Sequence, residues 1–196
     1  MTKQDQKRAL RQTMRRLESQ LSARYRSESS RAICARLLAM PEYQAARSVF
    51  CFVGTGFEID TRPILTHALE TGKRVCVPLC TGKGIMELRE ITALTDLAPG
   101  AYGIPEPDAA RCPAVDADEV DFAVLPCLSC NCLGHRLGRG GGYYDRFLSR
   151  YRGGTVLLCR EKLLRQEIPL EPHDYPVPWV LTEACLYEDG FPARLG

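Results

Sequence analysis

Four short apolar runs, separated by segments with helical periodicity, constrain the fold of this chain most strongly. The runs are rich in β-branched and aromatic residues and read SVFCFV (48–53), RVCVPL (74–79), DFAVLPCL (121–128) and TVLLC (155–159). Helix-like segments such as TRPILTHALETGK lie between several of them. Strands that alternate with helices in this way pair in parallel, and the helices cover the sheet. The pattern therefore predicts an α/β fold with a mostly parallel sheet flanked by helices.

The first forty residues predict two helices and carry most of the positive charge. An apolar stripe at helical spacing predicts the first helix through Leu10, Met14, Leu17 and Leu21. A second helix is predicted over roughly 27–40, ending before Pro41. Ten Lys and Arg against three acids give residues 1–40 a charge of +7, although the whole chain carries only +2. Such an arm attracts nucleic acid, a membrane surface or a small anionic ligand, and the charge alone does not choose among them.

The remaining composition indicates one domain over residues 1–196. The chain is 45% hydrophobic, enough for a substantial core. The stretch 99–119 has four prolines and no clean period, which predicts a long surface loop. No apolar run approaches the ~18 residues of a membrane helix, and the charged N-terminus is unlike a signal peptide. We therefore expect a cytoplasmic protein that does not bind a membrane.

The ten cysteines are expected to be reduced thiols, since the chain shows no secretory leader. Cys127, Cys130 and Cys132 form a C-x2-C-x-C cluster that could bind zinc. No second C-x2-C pair or pair of histidines completes four ligands, so small residues lining a strand end are the favoured interpretation.

The stretch RLGRGGGYYDRF (136–147) is the strongest candidate for a binding site. Its four glycines leave backbone N–H groups open to a ligand, and a loop that enters a helix N-terminus binds anions. It is neither a Walker A loop nor a dinucleotide fingerprint. A mobile glycine hairpin with a helix-capping aspartate is the alternative.

Charged residues around this loop predict a magnesium–phosphate site. Asp145 falls in the first turn of the following helix, where it would repel a phosphate unless a cation stood between them. A bridging Mg²⁺ resolves that conflict, and Arg136 and Arg139 would donate to the same phosphates.

A second acid, Glu58, follows the first predicted strand. It could accept paired N–H donors from a ring such as a pterin, or be a solvated loop acid. Asp60 or Thr61 is predicted to cap the next helix. The histidines, at 67, 135 and 173, do not suggest catalysis, and no G-x-S-x-G elbow supplies a nucleophile.

Several motifs, in order along nearly the whole chain, resemble those of the 5-formyltetrahydrofolate cyclo-ligase family. They are KRALR (7–11), EIDT (58–61), GKRVCVP (72–78), YGIPEP (102–107), RLGRGGGYYDRFL (136–148), and HD followed by LTE (173–183). The resemblance implies a fold like that of the ribose-phosphate and glucosamine-phosphate isomerases. It also implies ATP-dependent closure of 5-formyltetrahydrofolate to 5,10-methenyltetrahydrofolate, with release of ADP and phosphate, by a monomer.

The resemblance also implies roles for individual residues. Catalysis would fall to Lys7, Arg11 and Arg139, and magnesium to Asp145 and Asp174. ATP would contact Lys7, Arg8, Ala9, Leu10, Arg11, Arg136, Leu137, Gly138, Arg139, Gly140, Gly141, Gly142, Tyr143 and Tyr144. The folate would contact Arg11, Val53, Glu58, Arg139, Gly140, Gly141, Gly142 and Tyr143.

Two departures from the family pattern bear on the site. Cys130 and Asn131 stand where the family usually has Phe-Asp, which makes the pocket wall smaller and one carboxylate short. Pro178 stands where many members have Asp, which leaves Asp174 without a neighbouring acid.

Two other functions remain open: a nucleic-acid-binding module that uses the basic arm, and a sugar-phosphate isomerase. Under the family interpretation we expect no nucleic-acid partner.

Overall fold

The computed structural model describes residues 2–100 and 103–194, so Tyr102 of the YGIPEP motif lies outside the described residues. The helices are α1 (Lys3–Gln20), α2 (Ala23–Leu38), α3 (Pro41–Ala45), α4 (Arg62–Glu70) and α5 (Tyr143–Arg150). The strands are β1 (Ser48–Cys51), β2 (Arg74–Gly82), β3 (Ile85–Ile91), β4 (Leu97–Pro99), β5 (Pro105–Pro107), β6 (Ala114–Val115), β7 (Phe122–Pro126), β8 (Ser129–Cys130), β9 (Arg136–Leu137), β10 (Gly154–Leu158), β11 (Trp179–Leu181), β12 (Leu186–Glu188) and β13 (Phe191–Ala193).

Nine of these strands form one sheet in the order β13-β12-β11-β10-β7-β1-β2-β3-β6. The central five are parallel, from β11 through β10, β7 and β1 to β2. The four pairings at the two edges are antiparallel. The predicted α/β class is confirmed, whereas "mostly parallel" is correct only for the centre of the sheet. Tight turns with Gly84 and Gly190 at positive φ join β2 to β3 and β12 to β13, and short turns permit only antiparallel pairing.

Helices cover both faces of the sheet and enclose two apolar cores. Alternate residues of β1 divide between them: Val49 and Cys51 face one core, whereas Phe50 faces the other. The first core includes residues of α2, α3 and α4, such as Leu37 and Ile64. The second includes residues of α1 and α5, so these two helices share a face of the sheet. The glycine loop leads directly into α5 on that face.

Two local predictions need correction. The second helix begins at Ala23, because the side chain of Ser22 accepts a hydrogen bond from Tyr25 N, and it ends at Leu38. The stretch 99–119 is not one loop, since it contains β5, β6 and a 3-10 turn over Ala117–Glu119.

Of the two residues predicted to cap α4, Thr61 occupies the N-cap position, but its side chain makes no capping hydrogen bond. The Asp60 carboxylate accepts a hydrogen bond from Arg62 N. The Thr61 hydroxyl instead donates to Phe52 O, and it accepts from Gly54 N. Thr61 therefore closes the loop after β1 rather than the first turn of the helix. Within residues 2–100 and 103–194, no helix has the length and apolar character to cross a membrane.

Candidate active site

Helix α1 lies against the glycine loop, although the two are far apart in sequence. Arg11 Nε donates to Gly138 O at 2.9 Å across 127 positions of the chain. One turn further along the helix, Arg15 Nη2 donates to Arg139 O at 3.1 Å. The N-terminal motif and the glycine loop therefore form one site.

The backbone of the loop depends on its glycines. Gly140 and Gly142 have φ angles of 106° and 69°, in the left-handed region that favours glycine. A Cβ on Gly141 would approach the Tyr143 ring to 2.5 Å. Gly142 is the N-cap of α5 and offers no side-chain cap, so the first N–H groups of this helix are open to an anion.

A first charge cluster surrounds Arg139, and we call it the Arg139 cluster. Arg139 Nε donates to Glu58 Oε1 at 3.0 Å, and Arg139 Nη2 donates to Glu18 Oε1 at 3.1 Å. The Arg139 side chain is 44% exposed, whereas that of Glu18 is 5% exposed. Burial raises the pKa of Glu18 above its ordinary value, and the charge of Arg139 offsets only part of that rise.

A second charge cluster surrounds Lys7, and we call it the Lys7 cluster. Lys7 Nζ donates to Glu171 Oε2 at 2.9 Å and to both carboxylate oxygens of Asp174, at 2.8 and 2.6 Å. Glu171 N adds a further hydrogen bond to Asp174 Oδ2 at 2.7 Å. Burial alone would raise the pKa of Asp174, but the hydrogen bonds from Lys7 and Glu171 N hold it below its ordinary value. Asp174 therefore has a neighbouring acid, Glu171, despite Pro178.

The two aspartates predicted to bind magnesium differ in whether a carboxylate oxygen is available to the ion. Asp145 Oδ1 is paired with Arg136 Nη2, and its second oxygen has no hydrogen bond among the described contacts. Both oxygens of Asp174 are already held by Lys7. Oxygen donors suit Mg²⁺, so Asp145 fits the ion as it stands. Asp174 would first have to release Lys7, and it does not fit in this arrangement.

The remaining predicted contacts fall into two groups. Arg8 and Ala9 are exposed, whereas Leu10 packs against the second core, so only Lys7 and Arg11 of this motif join the site by their side chains. Leu137 and Val53 are buried in the two cores. Only their backbone groups remain available to a ligand. Tyr143 and Tyr144 are half-buried at the start of α5.

Sequence reasoning missed three residues that organise the site. Glu18 could have been found from its helical spacing, which places it on one face of the first helix with Lys7 and Arg11. Glu171 stands three residues before Asp174 in a segment without regular structure. Arg160 is buried and donates to Phe57 O and Glu58 O at 2.9 and 3.1 Å, which fixes the backbone that carries Glu58.

The cysteine cluster is not the one predicted from spacing. The sulfur atoms of Cys127, Cys130 and Cys159 lie within 4.8 Å of one another, and Cys132 is not among them. The reason is the sheet register: Pro126 of β7 is paired with Leu158 of β10, so Cys127 and Cys159 follow neighbouring strand ends. Asn131 forms hydrogen bonds with His135 and does not face the charge clusters.

The chain is similar to known proteins of one family. The model of the 5-formyltetrahydrofolate cyclo-ligase family matches residues 3–183. A mitochondrial 5-formyltetrahydrofolate cyclo-ligase of Arabidopsis thaliana is 33% identical over 162 residues, which is 75% of this chain but only 58% of the plant protein. The Escherichia coli (strain K12) 5-formyltetrahydrofolate cyclo-ligase is 26% identical over 86% of this chain and 95% of its own length.

The structural likeness extends over nearly the whole chain. The solution structure of Aquifex aeolicus 5,10-methenyltetrahydrofolate synthetase superposes with a TM-score of 0.84 and is 27% identical in sequence. It covers 97% of this chain, and 96% of that protein is covered in return. Together with the family match, this confirms the family predicted from the motifs: the chain belongs to the 5-formyltetrahydrofolate cyclo-ligase family of ligases.

Proposed function

We propose that this chain catalyses the reaction of its family, the ATP-dependent conversion of 5-formyltetrahydrofolate to 5,10-methenyltetrahydrofolate, at the junction of α1 and the glycine loop. The observation that carries the proposal is the hydrogen bond from Arg11 to Gly138 O. It joins the two motifs that the reaction needs together, a set of cations and a backbone open to phosphate. A sugar-phosphate isomerase on a related fold would not need ATP. The likeness of this fold to that of the ribose-phosphate isomerases stays a prediction.

The ATP phosphates would lie along the glycine loop and the first turn of α5. Gly140, Gly141 and Gly142 would contribute backbone N–H groups, and Arg11 and Arg139 fixed positive charge. An incoming phosphate would compete with Glu18 and Glu58 for Arg139, whose side chain is 44% exposed and thus accessible. Arg11 donates to Gly138 O through Nε, and its Nη1 lies 3.8 Å from where a Cβ on Gly140 would stand, so the guanidinium group adjoins the loop.

Asp145 would hold a magnesium ion through the oxygen that Arg136 does not use. When bound, Mg²⁺ neutralises the phosphate charge and draws electrons from the transferred phosphorus. Asp174 would serve differently, by fixing the ammonium group of Lys7. Lys7 would then reach phosphate only if it exchanged one of its carboxylate partners.

The folate would enter on the side of Glu58, whose carboxylate stands at the carboxyl end of β1. The formyl oxygen is a poor leaving group, and attack on the γ-phosphate of ATP converts it to a phosphate ester with release of ADP. Nitrogen N10 then attacks the formyl carbon and loses its proton to solvent, and phosphate leaves with the former formyl oxygen. No protein nucleophile is required, and the residues act by alignment and charge neutralisation.

The test is to mix the protein with 5-formyltetrahydrofolate and MgATP and to follow the absorbance of the methenyl product together with ADP. We expect turnover that stops without ATP and that a chelator suppresses. Arg11→Ala should lower kcat/KM for ATP at least tenfold, since a charge-assisted hydrogen bond is worth about 1.5–3 kcal/mol. Arg24→Ala is the matched control, because its side chain is 87% exposed and contacts only Glu28. Equal, strongly salt-dependent losses would instead favour a nucleic-acid-binding arm.

A further inference from the structure

A group of three cysteines at the carboxyl edge of the sheet has no part in the proposed reaction. Cys127 follows β7 directly, Cys159 follows β10 directly, and Cys130 belongs to β8. Each pair of sulfur atoms lies within 4.8 Å. Cys130 and Cys159 are buried, and Cys127 is half-buried. Thiols that converge from two separate backbone segments, here a C-x2-C pair and a cysteine after a neighbouring strand, are typical of a metal site.

The backbone that holds these sulfur atoms is fixed by hydrogen bonding. The strand pair preceding Cys127 and Cys159 is in register, with Pro126 opposite Leu158. Cys130 forms an isolated bridge with Leu164, and Arg165 N donates to its carbonyl oxygen at 2.9 Å. The three side chains are therefore preorganised, as a binding site requires.

The separation of the sulfur atoms suits a tetrahedral ion. A Zn–S bond of about 2.3 Å places the ligand atoms of a tetrahedron roughly 3.8 Å apart. Starting from at most 4.8 Å, the sulfur atoms would need to move together by no more than about 1 Å, which side-chain rotation permits. Thiolate ligands select thiophilic ions such as zinc over magnesium.

A fourth ligand has a place beside the cluster. A cavity of about 10 Å³ is lined by Cys127, Cys159, Glu18 and Glu58, among others. That volume is about what one water molecule needs, and the two carboxylates would accept its hydrogen bonds. Three thiolates with Zn²⁺ carry one net negative charge, and the Arg139 cluster adjoins the cavity through Glu18 and Glu58.

We propose that Cys127, Cys130 and Cys159 bind one Zn²⁺ ion, with a water molecule from the adjoining cavity as the fourth ligand. Three thiol protons are released when the metal binds, since the thiolate is the ligand. The ion would tie the ends of β7 and β10 together next to the Arg139 cluster. It is separate from the magnesium proposed at Asp145, since the donors here are sulfur and those there are oxygen.

The test uses cobalt as a visible substitute for zinc in the tag-free, fully reduced whole chain. Titration with Co²⁺ should give an intense near-ultraviolet thiolate band at about one ion per chain, and Zn²⁺ should remove it. Cys127→Ser and Cys159→Ser should abolish the band and weaken zinc binding at least about a hundredfold, more than loss of an outer-shell partner. Cys132→Ser is the matched control and should keep both properties, because Cys132 lies outside the group.

X-ray absorption at the zinc edge of the wild-type protein covers the case in which a variant fails to fold. We expect a shell of three sulfur ligands and one oxygen. A reduced wild-type protein without the cobalt band, a band unchanged in both cluster variants, or a zinc shell of nitrogen and oxygen alone overturns the proposal. A disulfide among the three cysteines, together with no metal binding after its reduction, would overturn it in favour of a thiol redox pair.

Discussion

The two charge clusters to which α1 contributes contain the same kinds of charged group, but the pKa of a buried acid shifts in opposite directions in the two. The Lys7 cluster and the Arg139 cluster each contain one cation and two carboxylates, roughly 16 Å apart along the helix from Lys7 to Glu18. The pKa of Asp174 is lowered in the first, whereas the pKa of Glu18 is raised in the second. The number of charges in a cluster therefore does not decide the direction in which the pKa of its acid shifts.

Hydrogen-bond geometry explains the difference. Burial raises the pKa of both acids, but Asp174 accepts from Lys7 through both oxygens and also from a backbone N–H. Glu18 accepts from Arg139 at 3.1 and 3.4 Å, and the negative charge of Glu58 raises its pKa further. We infer that the Lys7 cluster fixes α1 to the segment around Asp174. The Arg139 cluster is loosely paired and suited to exchange a carboxylate for phosphate.

Lys7→Ala should have the largest effect of the substitutions that test this difference between the clusters. It would leave Glu171 and Asp174 without their cation, and the side chains of Lys7 and Asp174 are only 6% and 8% exposed. Breaking a buried ion pair on one side costs about 3–5 kcal/mol, so the free energy of unfolding should fall by about that amount. Urea denaturation at neutral pH measures it, with Arg24→Ala as the control.

Arg139→Ala should affect ATP binding more than the stability of the fold. Because the Arg139 side chain is 44% exposed and solvent screens its ion pairs, the free energy of unfolding should fall less than in Lys7→Ala. The KM for ATP should nevertheless rise at least about tenfold if Arg139 binds phosphate. Equal losses of stability in Lys7→Ala and Arg139→Ala would remove the distinction between the clusters.

Glu58→Gln tests the substrate side of the Arg139 cluster. The amide keeps the shape of the side chain and removes the charge that a pterin ring would contact. A charged hydrogen bond is worth about 1.5–3 kcal/mol, so folate affinity should fall about tenfold to a hundredfold while ATP affinity changes little. Initial rates against each substrate measure the two KM values. Equal weakening of both would place Glu58 outside the folate site.

Asp145→Asn separates the two carboxylates first predicted to hold magnesium. An amide oxygen can still accept from Arg136, yet it binds Mg²⁺ poorly. The magnesium concentration required for half-maximal turnover should rise about tenfold, as expected for loss of roughly 1.4 kcal/mol of binding. Asp174→Asn is the matched comparison and should leave that concentration unchanged, because its oxygens are held by Lys7. An unchanged magnesium requirement in Asp145→Asn would mean that Asp145 pairs with Arg136 and does not bind Mg²⁺.

The sequence was sufficient to predict the parts of this molecule that depend on local pattern. Strands β1, β7 and β10 are continuous apolar runs, because both of their faces are buried. Strand β3, which lies next to the edge strand β6, mixes polar and apolar residues in MELREI within Ile85–Ile91 and was missed. The glycine loop has a chemical signal of its own, whereas its union with Arg11 in one site was implied only by the family resemblance.

The pairings within the site could not be predicted in the same way. Lys7 was assigned to phosphate, and only the tertiary fold shows that Glu171 and Asp174 reach it across more than 160 positions. The cysteine group illustrates the same limit, because strand register decides that Cys159 and not Cys132 joins Cys127. Sequence spacing reports neighbours along the chain, whereas a binding site is built from neighbours across the sheet.

The smallest expected effect is the sharpest test of the comparison, since it concerns the sign of a pH dependence. Glu18 has a folded pKa above 4.5, so the folded state binds more protons than the unfolded state between 4.5 and that pKa. The wild-type protein therefore loses stability as the pH rises through this window. Asp174 has a folded pKa below 3.8, so the wild-type protein gains stability as the pH rises from that pKa towards 3.8.

Glu18→Gln should consequently stabilise the protein, relative to wild type, by up to about 1 kcal/mol at neutral pH, because a buried charge is replaced by a neutral group of similar shape. The gain should shrink as the pH falls to 4.5. Asp174→Asn should be destabilising at neutral pH, with a loss that shrinks only below pH 3.8. Urea denaturation of both variants across this range measures the two differences, and the exposed Glu28→Gln serves as the control. If Glu18→Gln destabilises the protein at neutral pH and less so in acid, the pairing of Glu18 with Arg139 outweighs its burial, and the two clusters are alike.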